Sequence, residues 1–106
     1  MDPAVYNSVA FKDLERIAGV LYGKAYTSGA SLCFGFAIEG LRSNCEALGN
    51  DPLISQPVEA LAKAILRYDK APKRRSAKAL KELRIAITTF QVTLAALKIG
   101  WRPHVC

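Results

Sequence analysis

The sequence predicts an all-α protein, a single-domain four-helix bundle with a long C-terminal helix. Three observations predict it. Four segments repeat apolar residues at spacings of three and four, and none sustains a two-residue alternation. Proline, glycine and asparagine cluster between these segments, where short connections belong. The chain has 106 residues, enough for one core, and 51% of them are hydrophobic, which argues against intrinsic disorder. No internal repeat, low-complexity tract or domain boundary interrupts it.

The first helix is expected from about Pro3 to Tyr22. Asp2 suits its N-cap and Pro3 its first turn. Ala10, Leu14, Ile17 and Leu21 make the apolar stripe, and Gly23 is the expected stop. The second helix is expected from Thr27 or Ser28 to Gly49-Asn50, with Phe34, Ala37, Leu41, Cys45 and Leu48 on one stripe. Glu39, Arg42 and Glu46 fall on its solvated side. Leu32 and Phe36 lie off the stripe. They mark either a central position in the bundle or an interface patch.

The segment GNDPLISQ reads as a loop around the turn pair Asp51-Pro52. The third helix is expected from Pro57 to the break before Pro72, because Ala71 precedes a proline. Val58, Leu61, Ile65 and Tyr68 form its stripe, and Lys63, Arg67 and Lys70 share another face. The fourth helix is expected to begin with Ser76 as N-cap. Leu80, Leu83, Ile87, Phe90, Leu94, Leu97 and Trp101 then form a heptad seam over three repeats. Ile85, Val92 and Ile99 make a second apolar stripe well round from that seam. A helix apolar on two sides calls for two neighbours, either within the bundle or in a second copy. Gly100 and Pro103 are the expected end.

Charge is distributed unevenly. Residues 1–53 hold four Lys/Arg and six Asp/Glu, whereas residues 54–106 hold eleven and three. Nine of the fifteen cations lie between Lys63 and Arg84, so one end of the molecule is expected to meet something acidic. Lys73, Arg74 and Arg75 stand directly before the fourth helix, and Lys78, Lys81 and Arg84 follow on it. A helix start carries partial positive charge and disfavours cations. The placement makes sense if an anion completes the site, held by free N–H groups and by guanidinium forks. With Lys63, Arg67 and Lys70, these residues form a basic helix 3–helix 4 corner suited to nucleic-acid backbone. No aromatic residue is interleaved with the cations, so stacking on unpaired bases is not expected. The connection from Lys70 to Arg75 lacks the glycine common in a helix-turn-helix. A solvated basic face that serves only solubility is the plain alternative.

Chemistry of other kinds finds little support. The single histidine, His104, is three residues from the chain end and poorly placed for catalysis. Asp13 and Glu15 are two apart on a helix and do not face each other. No phosphate-binding glycine loop is present. Cys33, Cys45 and Cys106 fit no metal or redox spacing. Cys33 and Cys45, twelve residues apart on one expected helix, would lie about 18 Å from each other, too far for a disulfide. The expectation is a non-enzymatic protein without cofactor or metal. The first residues have no basic region followed by an apolar run, and Ala25 to Ile38 is too short to span a bilayer. A cytoplasmic location without integral membrane association is therefore expected.

Two functional readings remain open. One is a nucleic-acid-binding accessory protein that uses the basic corner. The other is a protein-interaction module, an adaptor or inhibitor, that uses Leu32, Phe36, Ile85, Val92 and Ile99 and docks its corner on an acidic protein surface. Either is compatible with a homodimer. Anionic lipid fits less well, because the basic stretch lacks bulky apolar partners on its own first turns.

Overall fold

Rather than starting at the expected Pro3, the first α-helix is capped by Ser8. Its hydroxyl accepts the Phe11 N–H at 3.2 Å and donates to the Val5 carbonyl at 2.6 Å. It thus caps α1 (Val9–Thr27), and Pro3–Asn7 forms a separate 3-10 helix before it. The computed structural model describes residues 3–27 and 34–99. The expected roles of Asp2, Leu32, Cys33, Gly100, Trp101, Pro103, His104 and Cys106 lie outside the described residues. Within them the chain is all-α, with α2 (Phe36–Ala47), α3 (Pro52–Lys70) and α4 (Ser76–Lys98) following α1.

Three further boundaries differ from the sequence expectation. Gly23 does not end α1, which continues to Thr27. A glycine costs a helix about 1 kcal/mol relative to alanine, and burial of Ala25 beyond it favours continuation. The second helix begins at Phe36 rather than near Thr27. Asp69 of α3 accepts the Phe34 N–H at 3.0 Å and fixes the chain just before that start. The third helix begins at Pro52, five residues earlier than Pro57. Asp51-Pro52 is a cap and first-turn pair rather than a loop, with the Asp51 carboxylate accepting the Leu53 N–H at 2.9 Å. Pro57 then lies inside the helix, where it has no N–H to donate to the preceding turn.

Each helix packs on its chain neighbours, and α4 closes the ring against α1. Side-chain links fix neighbouring helices as antiparallel. The end of α2 meets the first half of α1 through Asn44 and Asp13 at 2.7 Å. Arg42 forks onto Glu59 of α3 at 3.0 and 3.2 Å. Arg84, early in α4, donates to the Ala25 carbonyl at 2.8 Å, whereas Lys98, at its end, lies 3.5 Å from Glu15. Gly40 lets α1 and α2 approach closely, since a Cβ there would meet the Ile17 side chain at 3.0 Å.

The core fills the centre of this ring. Leu83, Ile87, Phe90, Leu94 and Leu97 of the α4 seam are buried, with Leu80 partly buried beside them. Val58, Leu61, Ile65 and Tyr68 of α3 face them, as do Phe34, Ala37, Leu41 and Cys45 from the α2 side. Leu14, Ile17 and Leu21 contribute from α1, joined by Phe11. Ala10 is only partly buried, and Phe11 takes the deeper place. Burial pushes the Cys45 thiol up from its ordinary value, with Glu59 and Asp51 adding in the same direction, as befits a packed rather than a reactive cysteine. No helix among the described residues is long and apolar enough to cross a membrane.

Candidate functional site

The connection between α3 and α4 bends because Ala71 and Pro72 are extended. Lys73–Arg75 then forms a 3-10 turn that runs directly into α4. Ser76 is therefore not the N-cap. Its hydroxyl donates back to the Lys73 carbonyl at 2.9 Å, and its N–H bonds to the same carbonyl. The Arg75 N–H bonds to Pro72 at 2.8 Å. These two N–H groups are already used, so an anion would be held here chiefly by side chains. No acidic residue offsets the three cations of this first turn.

Where α3 and α4 diverge from this bend they enclose an open groove of about 590 Å³. Lys63, Arg67 and Lys70 line it from α3, Arg75 from the 3-10 turn and Lys78 from the first turn of α4. Between them the groove wall is apolar, made by Leu66, Ala71, Pro72 and Ala79. One carboxylate, Glu82, enters from α4 and lies 3.8 Å from Arg67. Both partners are well exposed, so this pair is a weak tether. Lys63, Lys70, Arg75 and Lys78 make no ion pair among the described residues. The groove thus presents five cations against one carboxylate.

The remaining cations of the corner divide into two kinds. Lys73, Arg74 and Lys81 are exposed beside the groove without lining it. Arg84 points elsewhere. Besides its bond to Ala25 it lies over the Tyr26 ring, 5.0 Å from the centroid. It fastens the end of α1 to α4.

The candidate interface residues also separate. Phe36 is exposed beside a groove lined only by α1 and α2, with the Lys24 ammonium 5.4 Å from its ring centroid. Ile85, Val92 and Ile99 are 59%, 63% and 84% exposed on the outer side of α4. The second stripe is thus not covered by the bundle itself. Tyr26 borders it from α1 and stacks on Tyr22 with centroids 4.5 Å apart.

Sequence reasoning missed the apolar wall, whereas Glu82 is visible in the sequence as the one acid that interrupts the basic stretch from Lys73 to Arg84. Leu66, flanked by Lys63, Arg67 and Lys70 and lying off the α3 stripe, was the available signal. No cluster of His, Cys, Asp and Glu suited to a metal ion occurs among the described residues. No family model, curated protein or solved structure matches this chain.

Proposed function

We propose that the protein binds nucleic-acid backbone through the α3–α4 groove, as a non-enzymatic, cytoplasmic accessory protein. The observation that carries this reading is the convergence of Lys63, Arg67, Lys70, Arg75 and Lys78 from two helices and the turn between them on one groove with a single carboxylate. Arg75 and Lys78 stand against the dipole of α4 and pair with no carboxylate among the described residues, which breaks a local rule, and such breaks concentrate at functional sites. A polyanion neutralises several of them at once and releases its counterions. Among the described residues none that lines the groove is aromatic, which favours phosphate contact over base stacking.

The test is a duplex titration at two salt concentrations. Replacing Lys63, Lys70, Arg75 and Lys78 together with glutamine should weaken binding to unrelated duplexes alike. Each lost phosphate contact should lower the salt slope by about 0.9. Glu82→Gln should strengthen binding, since it removes the one opposing charge and releases Arg67. Unchanged affinity and slope in a folded quadruple variant would overturn the reading.

The exposed stripe of Ile85, Val92 and Ile99 supports a second reading, a protein-interaction module that self-associates and meets an acidic protein surface with its corner.

A further inference from the structure

The outer face of α4 has a pattern of its own. Ile85, Thr88, Val92, Ala95 and Ile99 follow steps of three and four and all are exposed. Side-chain size on this helix is matched to either side of Val92. Isoleucine stands seven residues to either side, and threonine faces alanine at three and at four residues to either side. No charged residue occurs from Ile85 to Leu97. The two cations that bracket this stretch are turned off the face, Arg84 onto Ala25 and Tyr26, Lys98 toward Glu15.

We propose that this face binds a second copy of the chain, with the two α4 helices antiparallel and the two-fold axis at Val92. The proposal rests on the self-association raised above and adds its geometry; it does not depend on nucleic-acid binding. In this register Ile85 meets Ile99 of the partner subunit, and the small threonines meet the small alanines. A two-fold contact requires such self-complementarity, whereas an unrelated partner would not. Charge selects the direction. Parallel helices would bring two basic corners together, and antiparallel ones carry them to opposite ends. Arg75 is seventeen residues from Val92, so the corners lie about 50 Å apart along the helices at 1.5 Å per residue. The seam is about 21 Å long and one helix wide, which with Tyr26 at its border gives an interface on the order of 1,000 Å² in total. That is near the lower limit for a specific contact, so the dimer should dissociate in the micromolar range.

Sedimentation equilibrium without nucleic acid should show a concentration-dependent dimer. Val92→Glu and Ile99→Glu should each weaken it at least tenfold while keeping wild-type helicity, because both sites are exposed. A mass near 11.5 kDa at every concentration would overturn the proposal together with self-association. Disulfide trapping tests the geometry, in a background with Cys33 and Cys106 replaced by serine and buried Cys45 kept. Val92→Cys should form linked dimers under mild oxidation. Ile85→Cys alone should not, but mixed with Ile99→Cys it should. Efficient self-linking of Ile85→Cys would show a parallel contact and overturn the antiparallel register while leaving the dimer standing.

Discussion

Phe90 and Val92 are two residues apart on α4 and face opposite ways. Phe90 is 1% exposed and Val92 63%. Truncating each to alanine therefore separates core packing from surface pattern on one helix. Phe90 sits in the middle of the buried seam, between Ile87 and Leu94. Loss of its ring removes about 1.5–3 kcal/mol of burial. The space left behind cannot fully collapse between α3 and α1, which raises the expected cost to about 3–5 kcal/mol. In a domain of this size 1 kcal/mol lowers Tm by about 4–8 °C, so Phe90→Ala should melt at least about 12 °C below wild type. Val92→Ala should change monomer stability by no more than about 0.5 kcal/mol. Urea unfolding at low protein concentration, with a thermal scan followed by circular dichroism, measures both. A loss below about 1 kcal/mol for Phe90→Ala, or equal losses at the two sites, would refute the assignment of the seam to the core.

Two further predictions concern single contacts. Asp51→Ala should lower stability by about 1 kcal/mol through loss of the α3 cap, while Asp51→Asn keeps an acceptor and should lose much less; equal losses in urea midpoint would mean that the cap geometry is not the cause. Hydrogen bonds from Arg16 and then Asn44 hold the Asp13 carboxyl below its ordinary value of 3.8. Its contribution is therefore present above that value and is lost as pH falls through the lower folded value. Wild type should lose stability more steeply than Asp13→Asn below about pH 4, and parallel denaturation curves at pH 5 and 3 would contradict this.

The parts of the fold that were legible in the sequence are those set by periodicity. The α4 seam and the α3 stripe appear where the three- and four-residue spacing put them, because burial on one side requires it. The helix ends were less legible, since one short signal serves two purposes. Asp51-Pro52 suits a turn and also suits a cap with its first helical residue. Ser76 suits a cap, but a 3-10 turn already occupies the preceding residues. The charge of the corner was visible as nine cations in a short span. Which of them face one groove was not, because that depends on how α3 and α4 meet. The partner of Arg84 is the Ala25 carbonyl, 59 residues away, and no local pattern announces it. The same dependence on packing hid the apolar wall of Leu66, Pro72 and Ala79 and the approach of Glu82 to Arg67.

Binding of phosphate backbone by the α3–α4 groove, as proposed, is put to the test most directly by the salt dependence of duplex binding. The logarithm of the association constant should fall linearly with the logarithm of salt concentration. The slope should be about −4 to −5 for five groove cations at about 0.9 each. It should shrink to about −1 in the Lys63, Lys70, Arg75 and Lys78 quadruple glutamine variant. A wild-type protein that shows no salt-dependent duplex binding, or a folded quadruple variant with the wild-type slope, would contradict the account.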